Sequence, residues 1–322
     1  MLIMGVAALL ASQPSPKHIF APTSFWYHPI PADAPLNSKS ADYAAEFTRQ
    51  IKAYYGHAAI NLSSYASPVY VVGPNAETFK VTEWDGLHKG YTDPGLADRW
   101  QAVPIPAYAE AADGTDQEMT IYQPSSDRIW EFWLARKVDG KWQACWGGRM
   151  DHVSHSDGIW PGHYGTTATS LPFMGGQITP EELRSGKIDH VMGIALVDLD
   201  NSGVFSWPAT RSDGSNPNHL PNRIPEGLRF RLDPHLDVDA LNLNPVAKAI
   251  AKAGQKYGFV VWDRAGAITL RANNPKAYLL ADKKNPYLSL FGGIPDWKIL
   301  EGFPWDSLRF LPMNYGRPPG SG

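Results

Sequence analysis

Asp139-Gly140 separates two aromatic runs, IWEFWLARKV and KWQACWGGRM, and this pairing constrains the fold more than any other stretch of the chain. Asp-Gly between alternating apolar residues favours a two-residue turn whose twist matches that of the strands it joins. Pairing outward from Val138 and Lys141 sets Trp133 opposite Trp146, Glu131 opposite Gly148 and Trp130 opposite Arg149. Side chains alternate across a strand, so Trp133, Trp142, Trp146 and Glu131 share one face. Trp130, Phe132, Leu134 and Cys145 share the other, which is expected to be core. The first face is expected to be open, a tryptophan cluster beside a carboxylate.

The rest of the chain reads as more short strands. SPVYVVGP, TFKVTEW, IDHVMGIALVDLD and LRFRLD are apolar or alternating runs bounded by turn residues, and FVVWDRAGAITL reads as a second hairpin turning at Ala265-Gly266. Helices are few. Ser40 is placed to cap one in which Tyr43, Phe47, Ile51 and Tyr54 recur at near-helical spacing before Gly56. Thr179, Pro180 and Glu182 form a capping-box pattern closed by Gly186, and Pro245 to Tyr257 is amphipathic. With 29 Gly, 28 Pro and 38 aromatic residues (12 Trp, 14 Tyr, 12 Phe), the pattern points to a mainly β fold, a β-sandwich or jelly roll with two or three short peripheral helices. No linker or repeat divides it. The expected organisation is an N-terminal docking segment and Pro-rich strap over 1–39, a single β-sandwich domain over 40–318 and a tail over 319–322.

Composition removes several function classes. A net charge of −3 and the lack of any basic run argue against a nucleic-acid partner. Cys145 is the only cysteine, which leaves no internal disulfide and no thiolate-rich metal site. Met1 to Ala11 is apolar but too short to span a bilayer. It reads either as a secretory signal lacking a basic start or as a docking helix.

Four constellations could carry chemistry. His152, His155, Asp157 and His163 are metal-ligand types at close spacing, but outside the helical frame that makes such pairs diagnostic, so no cofactor is expected. Glu131, Arg149, His190 and Tyr164 are the types a polysaccharide lyase uses, a cation to neutralise a carboxylate and an acid and base near neutrality. The hairpin register puts Arg149 on the face away from Glu131, which argues against convergence. Glu131 with Asp151 could act as a glycosidase pair, if the two lay at the required separation. Trp133, Trp142 and Trp146, with Trp160 and Tyr164, could form a platform for sugar rings or for a neighbouring subunit. DLDNSG at 198–203 imitates half a calcium loop but lacks its closing glutamate, and reads as a turn.

The strings FAPTSFWYHPIPADAPL, GIWPGHYGTTATSLPFMGGQITPEELRSGKIDHVMGIAL, NRIPEGLRFRLDP and GFPWDSLRFLPM resemble a group of minor tail proteins of mycobacteriophages and related actinobacterial phages. Similar segments occur in secreted actinobacterial proteins. The resemblance runs from about Phe20 to Pro318 and is most specific between Gly158 and Leu196. It implies a virion protein at the tail tip, assembled in the host cytoplasm, multimeric, packed against other tail proteins and facing a cell wall rich in arabinan, galactan and mannan. The alternatives it leaves open are a secreted binding module and a polysaccharide-degrading enzyme. It brings no catalytic residues with it.

Overall fold

The computed structural model describes residues 18–320; the Met1–Ala11 run lies outside them. The fold is β-rich, with more strand than helix, arranged as three mixed sheets. In chain order the strands are β1 (Ala59–Asn61), β2 (Val69–Val71), β3 (Val81–Glu83), β4 (Met119–Gln123), β5 (Arg128–Trp133), β6 (Arg136–Val138) and β7 (Lys141–Ala144). They continue with β8 (Trp146–Asp151), β9 (Met192–Leu196), β10 (Arg229–Leu232), β11 (Phe259–Arg264), β12 (Thr269–Arg271) and β13 (Leu308–Phe310). The helices used below are α1 (Ser40–Ala53), α2 (Pro94–Arg99), α3 (Phe173–Gly176), α4 (Pro180–Ser185) and α5 (Pro245–Lys256).

The six-stranded sheet runs β1-β12-β9-β11-β10-β13, the four-stranded sheet β2-β4-β5-β8, and the three-stranded sheet β3-β7-β6. Parallel pairs occur in all three: β1 with β12, β9 with β11, β2 with β4 and β3 with β7.

Side-chain alternation sorts the interior into layers. Phe259 and Val261 of β11 point into one cluster with Phe47 of α1 and Val246 and Ile250 of α5. Val260 and Trp262, one residue out of phase, point into a second cluster. That second cluster also takes Tyr122 of β4, Ile129 of β5 and Met150 of β8. The six- and four-stranded sheets thus share an apolar layer, filled by Trp26, Trp160, Leu171 and Phe173. Ile121, Trp130 and Phe132 face the other way, into a third cluster with Leu96, Trp100 and Trp142.

The register read from Asp139-Gly140 holds: Val138 pairs with Lys141, Trp133 with Trp146, Glu131 with Gly148 and Trp130 with Arg149. The ribbon is not one hairpin, however. Leu134 adopts a positive φ of 51°, and its N–H bonds Asp116 O instead of the partner strand. Beyond this break β6 and β7 belong to a different sheet from β5 and β8. The expected open face is also corrected. Glu131 is fully buried and Trp142 is 3% exposed. The layer shared with the six-stranded sheet covers Glu131, and the third cluster encloses Trp142.

FVVWDRAGAITL does not form a hairpin either. β11 pairs parallel with β9 and β12 antiparallel with it, so β9 sits between them. Met-Gly-Ile-Ala-Leu is buried at every position, as a central strand covered on both faces requires. Ser40 is the first residue of α1 and not its cap; its hydroxyl accepts the Phe310 N–H, tying the helix to the edge strand β13. The capping box of α4 is present as read, with Gly186 in the left-handed conformation after it.

Candidate functional site

The end of β8, the loop that follows it and α2 build the most feature-rich open surface. Asp93 starts α2: its carboxylate accepts the N–H groups of Gly95 and Leu96 at 2.7 and 3.2 Å, with Pro94 in the first turn. The same carboxylate reaches outward to Tyr164 Oη and His163 Nε2, each at 3.2 Å. Partial burial pushes the Asp93 carboxyl up, and these hydrogen bonds outweigh it, holding the group below the usual carboxylate range.

Three rings meet here. His163 and Tyr164 lie 4.5 Å apart between centroids, Trp146 lies 5.5 Å from His163, and Trp146 stacks on Tyr164 at 5.9 Å. The Arg99 guanidinium covers the Tyr164 ring at 4.3 Å and the Lys89 ammonium stands 5.5 Å from Trp146. Trp133, directly across the ladder from Trp146, is half-buried. The His163 side chain is 63% exposed and Trp146 is half-buried, whereas Tyr164 is buried in the third apolar cluster, so the ledge is the open rim of a packed ring set.

Glycines let the ledge approach the sheet. A Cβ at Gly148 would stand 3.1 Å from Trp160 and from the Tyr164 Cβ. Gly165 has φ +102°, and a side chain there would strike the Trp160 ring.

Next to the ledge runs a groove of about 680 Å³, lined by Asp98, Arg99, Arg149, Asp151, His152, His155, Asp157 and Trp160 among others. Asp151 is bridged by Arg128 at 2.5 Å and Arg149 at 2.9 Å. Partial burial raises its carboxyl and the two guanidinium groups more than offset this, so it stays ionised. His152, in a left-handed conformation, and His155 are exposed. Among the described residues no three His, Cys, Asp or Glu side chains gather as a metal site, so the sequence spacing of His152, His155, Asp157 and His163 does not become a ligand set.

The four lyase-type residues do not meet. Glu131 lies in the layer between sheets, accepting from Thr166 Oγ1 at 3.0 Å and Phe173 N at 2.6 Å, and burial pushes its carboxyl up to about 8. Arg149 lines the groove on the other face, paired with Asp151. Tyr164 is held by Asp93. His190 lines a separate cavity of about 30 Å³ with Tyr27 and Glu182. Its Nδ1 lies 2.7 Å from Val191 O and its Nε2 3.2 Å from Glu182 Oε1. Both neighbours are acceptors, an arrangement that favours the doubly protonated ring. Burial pushes the His190 pKa down, but the Glu182 carboxylate outweighs it and the pKa is raised.

Asp93, Arg99 and Arg211 were not singled out from the sequence. Asp93-Pro94-Gly95 carried a helix-start signal; Arg99 and Arg211 had none, because their partners are distant in the chain or are rings and carbonyls. No family model, curated protein or solved structure matches the chain.

Proposed function

We propose that this protein is a minor tail-tip component of a bacteriophage virion that contacts a cell-surface glycan, with the Trp146–His163–Tyr164 ledge and its groove as the contact. The observation that carries the contact is the exposed His163 ring and the half-buried Trp146 ring set against buried Tyr164, fixed by Asp93 and Arg99 beside a groove with charged groups of both signs. Sugar C–H faces pack on aromatic rings, and a few convergent polar groups orient hydroxyls. The tail-tip assignment rests on the resemblance of the strings between Phe20 and Pro318. In this reading the six- and four-stranded sheets act as a sandwich-like support, and other tail subunits or further copies pack elsewhere on it.

Arabinogalactan and mannan titrated into the purified protein test the contact. Trp146→Ala is expected to weaken binding at least about tenfold, as loss of an aromatic anchor does. Because Trp146 also packs against the third apolar cluster, its melting temperature is expected to fall, and binding is compared at a temperature where both proteins are folded. Equal affinity in both proteins removes the ledge as the site. Release of reducing ends from either polysaccharide favours the polysaccharide-degrading alternative. Mass spectrometry of purified virions tests the location.

A further inference from the structure

Arg211 lies outside every motif of the ledge and the groove, yet its side chain reaches back to the ledge. Nη1 donates to His163 O at 2.6 Å, and Nη2 to Gly165 O at 2.9 Å and Thr167 O at 2.8 Å. Nε donates to Ala168 O at 3.2 Å. A guanidinium has five N–H donors in one rigid plane, and here four carbonyls of a single irregular stretch take four of them. Among the described residues no carboxylate hydrogen-bonds the group; Asp213, Glu226 and Asp263 act on it through their field. The stretch it holds, 163–168, presents the His163 and Tyr164 rings and sends Thr166 to Glu131. Gly165 N bonds Gly147 O on β8, so the stretch is pinned between the sheet and the guanidinium.

We propose that Arg211 is the positioning residue of the ledge, fixing the 163–168 backbone so that the His163 and Tyr164 rings stand in stacking order beside Trp146 before any ligand arrives. The inference rests on the ledge being the glycan contact. A surface ordered in advance loses less conformational freedom on binding, so affinity depends on a residue that touches no ligand.

Arg211→Lys tests it. Lysine keeps the charge but offers a single ammonium point that cannot span four carbonyls. Amide exchange at Gly165 and Ala168 is expected to accelerate at least about tenfold while Ile129 and Met150 in the ladder stay protected. Arabinogalactan affinity is expected to fall by about the same factor. In Arg211→Ala, millimolar ethylguanidinium is expected to restore protection and ethylammonium to fail; if that variant does not fold, Arg211→Lys and Arg211→Gln carry the comparison. Unchanged exchange at Gly165 and Ala168, or faster exchange with full affinity, overturns the proposal. The two readings separate cleanly. If Trp146→Ala weakens binding and Arg211→Lys does not, only the role of Arg211 fails. If the wild-type protein binds no glycan, the contact itself fails, and the exchange data still decide whether Arg211 holds the segment.

Discussion

Glu131 shows how far a side chain's role depends on what covers it. Its carboxyl is fully buried, with one hydroxyl and one amide donor, and burial pushes its pKa up to about 8. In the unfolded chain a glutamate ionises near pH ~4.3. Between those values the folded state keeps a proton that the unfolded state has lost, so stability falls as pH rises through the window. The contribution is complete below the unfolded pKa and gone above about pH 8. Its full span is on the order of several kcal/mol at ~1.4 kcal/mol per pKa unit. Glu118, raised by burial to about 7, and Glu226, raised by burial to about 8, act with the same sign. So does His190, whose raised pKa adds stability that is lost on the alkaline side. Urea titrations between pH 5 and 8 are expected to show a shallower slope in Glu131→Gln, and higher stability than wild type at pH 8. An unaltered slope would show that the folded protein does not hold Glu131 protonated. The amino-acid string marks this residue as chemistry-bearing, and alternation sets it on the side of β5 away from Trp130 and Phe132, but not in the company of Trp142, which lies with Trp130 and Phe132. It could not show that a second sheet seals that face.

At the scale of elements, local signals suffice where they are complete within a few residues. The α4 capping box is such a case: Thr179 Oγ1 accepts the Glu182 N–H and Glu182 returns a bond to Thr179 N. Glu182 also anchors His190, so the cap doubles as the base of a buried ion pair. Thr179→Ala is expected to cost about 1–2 kcal/mol, measured by chemical denaturation, with the larger value if His190 is also released. A β11–β12 hairpin does not form, and nothing in FVVWDRAGAITL records that β9 inserts between its arms. β9 can do so because Gly193 has no side chain: the Trp262 ring packs directly over it, and a Cβ at that position would overlap the ring. Gly193→Ala is accordingly expected to destabilise the fold by roughly 1–3 kcal/mol through overpacking. A melting temperature equal to that of wild type would contradict the close approach. The Asp139-Gly140 ribbon lies between these cases. Its register was legible throughout, but the break at Leu134 depends on Asp116, a residue outside the ribbon.

Across the whole molecule, the decisive feature is the apolar layer shared by the six- and four-stranded sheets. Trp262 comes from one sheet, Ile129 and Met150 from the other, and Phe173 of α3 stands edge-on to Trp262 at 5.6 Å between centroids. Sheets that share their interior unfold together, so heating is expected to give one transition, coincident by near- and far-ultraviolet circular dichroism. Two separated transitions would show that the sheets are independent units. The sequence by itself determined the β-rich class, the aromatic strand register, the α4 cap and the amphipathic α5, because period, turn chemistry and capping are properties of neighbours along the chain. Only the tertiary structure decided which tryptophan face is open, which acid is sealed, that His190 is an ion-pair partner, and that Arg211 grips the stretch bearing His163 and Tyr164. Those outcomes depend on which distant surface arrives to cover or to hold a residue, and that contact is set by packing in three dimensions.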